Sequence, residues 1–408
     1  MNDEKPKVAG IVAEYNPFHN GHLYHLEKTK ALTGAAVCVA VMSGDFVQRG
    51  EPALIDKWER AEAAVENGVD LVVELPFLYA CNSAEYFAKG AMRLLSAMGC
   101  VTQLSFGSEA GEIAPLQNVA AFLAEEPEAF REALHGASKR GRSFPAARFE
   151  ATADLLGAAQ AELLRQPNNI LAIEYIKQLI LIRSEITPVT FKRRGAGYFD
   201  AAPGAKIAGA SALRTLLLAG KRAEAGAYLP AGEAVRPRSD AYASLDPYFT
   251  AIACAAGTKS REELREIFSA SEGLENRLKR ALDGAKDMES LIAGTKSRRY
   301  TETRIRRFLL HVLFGLTKEK FRRLDAAPPY LRVLALNRAG GGLLRRIRKE
   351  GRLPVITNLN KQRPEPGAAE EMLELDILAA DVYHLLCDGR FGAASDFRRH
   401  PAILSQIQ

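Results

Sequence analysis

Short apolar runs alternate with amphipathic stretches through the first third of the chain. The runs have the length of a strand and lie at 7–13, 36–42, 70–75 and 101–106. The segments between them space their apolar residues as helices do. Apolar strands that alternate with helices are typical of βαβ units around a buried parallel sheet. The pattern therefore predicts an α/β fold built around a parallel sheet.

Glycine and proline mark where the predicted elements end. Helices are expected from Gly21, over 57–67 and over 84–98, and residues 112–180 are expected to be mainly helical. A strand is predicted at 187–192, followed by a glycine-rich loop and a helix from about Ser211.

The stretch 229–247 is rich in proline and polar residues and indicates a linker. Beyond it the pattern is helical, apart from one strand-like stretch at 353–358. The chain is therefore predicted to hold an α/β domain over 1–225 and a mainly α-helical, basic domain over 245–408.

Composition narrows the class of protein. Of the 408 residues, 47% are hydrophobic and 25% charged, as in globular proteins. No run approaches the roughly 20 apolar residues that span a bilayer, and the polar start does not resemble a signal peptide. The five cysteines are widely spaced and form no CxxC, which disfavours disulfides and structural zinc. These features predict a cytoplasmic protein without a membrane partner.

Positive charge is concentrated in one segment. Residues 291–350 carry a net charge of +12, whereas the rest of the chain carries −6. A local excess of Lys and Arg attracts polyanions and binds phosphates. We therefore predict RNA binding by two clusters, with a solvated basic helix face as the alternative. The clusters are Arg298, Arg299, Tyr300, Arg304, Arg306 and Arg307, and Arg345, Arg346, Arg348 and Lys349.

Three histidines lie where the first strand passes into the first helix: His19, His22 and His25. Ligands of open parallel sheets bind at this carboxyl end, and a helix N-terminus favours phosphate. Gly21 removes a side chain, so a flat group can approach the backbone. We predict that His19 and His22 are catalytic and hold phosphates. A metal site and plain surface histidines are the alternatives.

The stretch 10–22, Gly-Ile-Val-Ala-Glu-Tyr-Asn-Pro-Phe-His-Asn-Gly-His, resembles the opening of the HIGH-motif nucleotidyltransferases. That resemblance implies a Rossmann-like domain that binds ATP and cleaves it between the α- and β-phosphates. Residues 207–214 are similar to the second motif of the superfamily, in which a helix N-terminus and an arginine hold the triphosphate. Ser211 and Arg214 match that motif, whereas Gly209 and Ala210 stand where hydroxyls are common.

Seven further stretches are similar to one family, the bacterial tRNA(Met) cytidine acetate ligases. They lie at 42–53, 56–60, 74–76, 106–109, 167–171, 193–198 and 299–307. The resemblance implies that acetate and ATP give acetyl-adenylate and pyrophosphate. The wobble cytidine of elongator tRNA(Met) then becomes N4-acetylcytidine, with release of AMP. A nucleotidyltransferase that makes a dinucleotide cofactor, a non-catalytic RNA-binding protein and an aminoacyl-tRNA synthetase are the alternatives.

The resemblance also implies which residues bind ATP. Gly107, one or both of Asn168 and Asn169, and Arg193 or Arg194 would contact the nucleotide, together with the N-terminal loop. The loop residues are Val12, Ala13, Glu14, Tyr15, Asn16, Pro17, Phe18, His19, Asn20, Gly21, His22 and His25. Mg²⁺ commonly accompanies a triphosphate, and Glu14 and Glu109 are candidate ligands. The sequence does not decide whether the chain forms a homo-oligomer.

Overall fold

The computed structural model describes residues 6–193, 207–230, 242–271, 273–297, 300–389 and 396–404. Arg194, Arg298, Arg299 and most of the predicted linker lie outside these residues. The strands are β1 Val8–Ala13, β2 Val37–Ser43, β3 Phe46–Val47, β4 Glu51–Pro52, β5 Leu71–Leu75, β6 Gln103–Ser108, β7 Thr187–Lys192, β8 Leu331–Asn337, β9 Val355–Ile356 and β10 Ala402–Leu404.

The helices occupy most of the remaining described chain. In the first half they are α1 Asn20–Thr33, α2 Lys57–Glu66, α3 Phe77–Ala80, α4 Ala84–Ala97, α5 Ile113–Glu125, α6 Glu128–Lys139, α7 Phe144–Leu156, α8 Ala158–Glu162 and α9 Pro167–Leu181. In the second half they are α10 Ala210–Leu218, α11 Arg222–Gly226, α12 Tyr248–Gly257, α13 Arg261–Arg265, α14 Leu274–Leu282, α15 Met288–Thr295, α16 Glu302–Leu313, α17 Lys318–Ala326, α18 Arg338–Glu350 and α19 Ala368–Asp388.

One main sheet organises the chain. Its strand order is β10-β8-β5-β2-β1-β6-β7, and β9 pairs with β8. The five strands from β5 to β7 run parallel, which confirms the predicted α/β class. Their order is 3-2-1-4-5 along the chain, as in Rossmann-like sheets, and it reverses between β1 and β6.

Alternation along the central strands sends side chains to two separate cores. Val39 and Val41 of β2 pack on the face that α4 and α9 cover, and Cys38 and Ala40 pack on the face that α1 and α2 cover. Because both faces are buried, the central strands are apolar throughout rather than alternately polar. This layering explains why β1, β2, β5 and β6 could be predicted from short apolar runs.

Strand β8 was missed by the sequence analysis, which predicted helix there. It pairs antiparallel with β5 and is buried along its whole length. The late strand-like stretch at 353–358 is confirmed in part as β9. The basic segment therefore adds a strand to the sheet. The division into domains 1–225 and 245–408 stays a prediction.

A buried network of charges joins the two ends of the chain. The Lys57 Nζ lies 2.8 Å from Glu74 Oε1 and 2.7 Å from Asp396 Oδ2, and Arg332 NH1 lies 2.8 Å from the same Asp396 oxygen. All four side chains are almost completely buried. Buried charges are stable only when paired in this way. The network therefore holds the short turn at 396–398 against α2 and β8.

Within the described residues, none of the helices is both long enough and apolar enough to cross a membrane.

Candidate active site

The reversal of strand order opens a crevice at the carboxyl ends of β1 and β6, the position where open α/β sheets bind ligands. A cavity of about 280 Å³ lies there. Seven of the residues predicted to contact the nucleotide line it. They are His19, Gly21, His22, His25, Gly107, Asn168 and Arg193.

His19 caps the first helix with its own ring. Its Nδ1 accepts a hydrogen bond from the Gly21 N–H at 3.0 Å. A neutral imidazole that accepts at Nδ1 carries its proton on Nε2. A Cβ at Gly21 would lie 2.7 Å from His19 Cε1, so glycine is needed to admit the histidine ring. The turn thus presents His19 as a hydrogen-bond donor.

The histidines of this loop are held neutral. The rings of His19 and His22 stack with centroids 3.9 Å apart. Burial, reinforced by the charges of Arg193 and Arg214, lowers the pKa of His19 to about 3. Burial also lowers the pKa of His22, and the neighbouring His19 adds to the effect. Neutral imidazoles donate to phosphate without repelling each other.

His25 lies one turn further along α1 and is tied to the sheet. Its Nε2 lies 3.2 Å from the carbonyl oxygen of Ser105 in β6, and burial lowers the pKa of His25 to about 4. Its ring packs against Phe191 at a centroid distance of 5.2 Å. His25 therefore fixes the first helix to β6 while it lines the cavity.

Three separate sequence motifs meet on the opposite wall of the cavity. Glu109 Oε1 accepts a hydrogen bond from Asn168 Nδ2 at 2.6 Å, and Arg193 NH1 donates to Asn168 Oδ1 at 2.9 Å. Glu109 also accepts from the backbone N–H groups of Asn168 and Asn169 at the start of α9. Because both partners of the Asn168 amide are fixed, its orientation is fixed too. Arg193 is thereby aimed along the cavity beside the histidines.

Asn169 has a different environment from its neighbour. It is completely buried, accepts from the Ala110 N–H at 3.0 Å and donates to Gln166 Oε1 at 2.7 Å. Its side chain therefore joins the loop after β6 to α9. Between the two asparagines, the structure brings only Asn168 to the cavity wall.

Gly107 lines the cavity, but a side chain at this position would meet other protein atoms before it reached the cavity. A Cβ at this position would lie 2.7 Å from Arg193 Cγ and 3.2 Å from the Phe191 ring. Glycine here lets β7 and the Arg193 side chain approach β6.

The second nucleotidyltransferase motif, residues 207–214, begins at the cavity wall and ends at Arg214, which contacts the N-terminal loop. Ile207, Ala208 and Gly209 line the cavity. Arg214 NH1 donates to the Asn16 carbonyl at 3.2 Å, and its NH2 contacts Ser211 Oγ at 3.3 Å and Glu51 Oε1 at 3.2 Å. Arg214 therefore supports the N-terminal loop and adds positive charge near His19.

The rest of the loop forms the floor beneath the histidines. Tyr15 and Phe18 are buried in the core, and Asn16 Oδ1 accepts from the Leu54 N–H at 2.7 Å. Glu14 Oε1 accepts from the Gln48 N–H at 2.9 Å, and burial raises the pKa of Glu14. Several predicted ATP contacts are not among the described cavity-lining residues. They are Val12, Ala13, Glu14, Tyr15, Asn16, Pro17, Phe18, Asn20, Asn169, Ser211 and Arg214.

A buried arginine that the sequence analysis did not select supports this floor. Arg60 donates to the carbonyls of Glu14 at 2.6 Å, Ser43 at 3.1 Å and Ile55 at 3.0 Å, and also to that of Gly44. It thus binds the ends of β1 and β2 together.

Other cavity residues were also not selected as nucleotide contacts. They are Tyr24, Glu109, Phe191, Ile207, Ala208 and Gly209. Phe191 stands two residues before Arg193 at the end of β7, a position from which a strand side chain can reach the crevice. Glu109 was considered only as a magnesium ligand, but its two oxygens cap α9. The described residues include no group of three His, Cys, Asp or Glu side chains that could hold a metal ion.

The two predicted RNA-binding clusters lie at opposite ends of the sheet. Arg306 bonds Glu51 at 2.6 Å and Arg307 donates to the Gln48 carbonyl at 3.0 Å, both beyond the carboxyl end of β2. Arg346 donates to the Pro6 carbonyl at 3.1 Å, just before β1. The side chains of Arg345, Arg348 and Lys349 are exposed on α18.

Comparison with known proteins agrees with this geometry. A family model described as HIGH Nucleotidyl Transferase matches residues 6–395. A tRNA(Met) cytidine acetate ligase from Thermoanaerobacter sp. (strain X514) is 40% identical over 402 residues, covering 97% of this chain and 99% of the relative. The chain belongs to the tRNA(Met) cytidine acetate ligase family. Another member, from Syntrophomonas wolfei, is 41% identical over 396 residues, covering 93% of this chain and 94% of the relative.

Solved structures of this ligase family share the whole fold. Apo TmcAL from Thermotoga maritima has a TM-score of 0.90 and 34% identity, covering 98% of this chain and 100% of that one. TmcAL from the same organism bound to alpha-thio ATP has a TM-score of 0.87 and 33% identity over the same shares. The resemblance to the family and the Rossmann-like class are thus confirmed, and the dinucleotide-forming and non-catalytic alternatives are not favoured.

Proposed function

We propose that this chain is an ATP-dependent ligase that makes N4-acetylcytidine at the wobble position of elongator tRNA(Met) by way of acetyl-adenylate. One observation carries the proposal: the loop 19–22 and the Asn168–Arg193 pair face each other across one cavity where the strand order reverses. The names of the relatives and the alpha-thio ATP bound by the Thermotoga protein support the choice of substrates.

In the first step an acetate oxygen attacks the α-phosphorus of ATP, and pyrophosphate leaves. Adenylation of this kind depends on positioning and on donors aimed at the developing charge. His19 donates from Nε2, and His22 and Arg193 lie beside it in the same cavity. The N–H groups of Asn20, Gly21 and His22 are already bonded within the protein, so these side chains and the helix dipole supply the contacts.

The adenosine occupies the part of the cavity that Phe191, Gly107 and Asn168 border. Phe191 supplies an aromatic face, and the fixed Asn168 amide lies where it can meet ribose or base. Because the Asn168 amide nitrogen donates to Glu109, the amide oxygen is left to accept from Arg193.

In the second step the exocyclic amine of cytidine attacks the acetyl carbonyl, the amine loses a proton, and AMP leaves. The base must leave its stack to reach the closed site, and anticodon loops offer such bases. The basic clusters on α16 and α18 would bind phosphates of the tRNA.

Mg²⁺, where it takes part, enters this reaction on the triphosphate as part of the substrate. Both Glu109 oxygens already cap α9, and Glu14 Oε1 already accepts from the Gln48 N–H. We propose that the reaction takes place in the cytoplasm, where tRNA is found.

The test is incorporation of radiolabelled acetate into total tRNA with ATP present and with ATP omitted. ATP-dependent label that digests to acetylcytidine is the expected result. A protein that binds ATP but transfers no acetate to any tRNA would contradict the proposal.

A His22→Ala variant provides the matched control. It should retain the wild-type melting temperature and lose acetate-dependent ATP–pyrophosphate exchange by roughly 10²- to 10³-fold, as expected for a missing transition-state donor. Full exchange activity in this variant would remove the phosphate role from His22.

A further inference from the structure

A second cavity, larger than the nucleotide site, opens beside α16. Its volume is about 560 Å³, within the range of small-molecule sites. Helices α4, α6, α7 and α9 form one side, and α16 of the basic segment forms the other. The cavity therefore lies where residues from before and after the predicted linker meet.

The positive charges of this cavity are not evenly balanced. Arg148 pairs with Glu174 at 2.7 Å, and Lys177 pairs with Glu85 at 3.0 Å. Arg304 and Arg307 have no carboxylate partner among the residues that the structure describes. Arg304 donates instead to the Ser271 hydroxyl at 2.7 Å, and Arg307 to the Gln48 carbonyl at 3.0 Å. Two guanidinium groups thus lie at the cavity without a paired carboxylate in the described chain. With Glu126 counted, the lining still has one more basic than acidic side chain, which favours an anionic ligand.

Aromatic side chains also line this cavity. Phe130, Tyr86 and Phe268 are packed into the protein, and Phe268 stacks on Phe321 with centroids 3.6 Å apart. Phe144, in contrast, is 53% exposed at the cavity wall. An exposed aromatic face in a cavity that also holds arginines can stack a nucleobase while the arginines bind its phosphate.

This second cavity is connected directly to the N-terminal loop. The Gln48 peptide donates to the Glu14 carboxylate at 2.9 Å and accepts from Arg307 at 3.0 Å. A Cβ at Gly50 would lie 2.4 Å from the backbone N of Arg307, so the loop 48–50 rests directly on α16. Because the loop 48–50 contacts both Arg307 and Glu14, it connects this cavity to the N-terminal loop.

We propose that this cavity binds one unstacked nucleotide of the tRNA anticodon loop, adjacent to the reactive cytidine, with its base on Phe144 and its phosphate at Arg304. The proposal rests on the proposed function. The ligand is a nucleotide within an RNA strand rather than a free nucleotide, because the charges belong to the basic segment and ATP has its own cavity. The site holds the loop open while the cytidine enters the catalytic cavity.

The test measures binding of a fluorescent anticodon stem-loop to Phe144→Ala and Arg304→Gln. The control variants are Leu155→Ala, an exposed apolar residue on the same helix, and Arg322→Gln, an exposed arginine of the basic segment. Phe144→Ala should weaken binding at least about fivefold, the effect typical of removing one base stack. Arg304→Gln should reduce the slope of log affinity against log salt by about 0.7, the value for one phosphate on a single strand. The controls should change neither quantity, and all four proteins should melt as the wild type does.

A set of stem-loops with one abasic nucleotide at each loop position locates the stacked base. One position should weaken wild-type binding and have no further effect on Phe144→Ala, since that variant cannot form the stack. Abasic penalties that persist in Phe144→Ala at every position would overturn the proposal. Binding of free AMP or CMP that Phe144→Ala abolishes would also overturn it, in favour of a mononucleotide site. Acetate-dependent ATP–pyrophosphate exchange by the wild type, measured without RNA, shows separately whether the proposed function holds.

Discussion

The imidazoles of the first helix are neutral because the fold buries them beside two arginines. Burial, with Arg193 as the next largest cause, lowers the pKa of His25 to about 4, and His19 reaches about 3 for the same reason with Arg214 added. The Nδ1 of His19 accepts from the Gly21 N–H, so the single proton of this ring is on Nε2. His19 is therefore a hydrogen-bond donor of fixed tautomer before any substrate arrives.

This arrangement makes a prediction about pH. In the free protein the ring resonances of His19 and His25 should show no titration between pH 8 and pH 5, when followed by NMR with His19→Gln and His25→Gln for assignment. The unfolded chain takes up these protons near its ordinary pKa of about 6.5, and the folded chain does not. The contribution of these neutral rings to the free energy of unfolding should therefore be fully present above pH 6.5 and should fall as the pH drops toward 4. A midpoint near pH 6.5 for either ring would contradict the assigned neutrality.

The adjacent asparagines give a matched pair of variants. Asn169→Ala should lower the free energy of unfolding by about 1–3 kcal/mol, since it leaves the buried Ala110 N–H without its acceptor. Asn168→Ala should melt near the wild-type temperature and raise the KM for ATP in pyrophosphate exchange, because it releases Arg193. Thermal melting and exchange kinetics on both variants check the pair. A larger loss of stability in Asn168→Ala than in Asn169→Ala would reverse the two roles.

At the scale of elements, local pattern predicted the sheet where apolar runs were bounded by glycine or proline. Strand β8 was missed although Pro328 and Pro329 precede it and glycines follow it, because Arg332 interrupts its apolar run and the segment around it is rich in Lys and Arg. Arg332 is only 2% exposed, and its charge is met by Asp396 and Glu74. The acid that pairs with Arg332 lies more than sixty residues away, so no local pattern could have indicated that this arginine is buried.

The two walls of the candidate site also differ in whether local sequence or distant segments form them. The histidine wall is contiguous in sequence, and its position after a buried strand could be interpreted from the residues. The wall of Glu109, Asn168 and Arg193 is assembled from three distant segments, and only the family resemblance pointed to it. Phe191 had no signal beyond its place at a strand end.

The buried charge network around Asp396 should contribute strongly to the stability of the fold. Asp396→Asn should lower the free energy of unfolding by about 3–5 kcal/mol, because Lys57 and Arg332 lose a buried counter-charge. Glu224→Gln, which breaks an exposed pair with Lys221, should cost no more than about 1 kcal/mol. Denaturant unfolding of both variants measures the difference. Equal effects would show that the turn at 396–398 does not stabilise the sheet.

The pH dependence of this network has a definite sign. Burial alone would raise the pKa of Asp396, but Arg332 and Lys57 hold that pKa below its usual range. The stability that Asp396 contributes is therefore present above about pH 4 and is lost as the pH falls below it. The Asp396→Asn variant should lack this part of the acid transition.

At the scale of the whole molecule, the two basic clusters face different ends of the sheet. The α16 cluster contacts Glu51 and Gln48, which connect it to the N-terminal loop. The α18 cluster lies beside Pro6 and Gly99, at the amino ends of β1 and β6. One RNA can reach both only if its stem runs from the catalytic edge along the protein to the opposite edge. The arrangement therefore fixes how a bound tRNA would have to lie.

The exposed α18 side chains decide between a long and a short RNA footprint. We expect the triple variant Arg345→Gln, Arg348→Gln and Lys349→Gln to weaken binding of full-length tRNA and to lower the salt slope by about 0.9 for each duplex phosphate that the protein no longer neutralises. Binding of the isolated anticodon stem-loop should be unchanged, because that fragment would end before it reaches α18. Titrations of both RNAs at several salt concentrations measure this. An unchanged slope with full-length tRNA would confine the RNA to the carboxyl edge, and the charge on α18 would then be a solvated helix face.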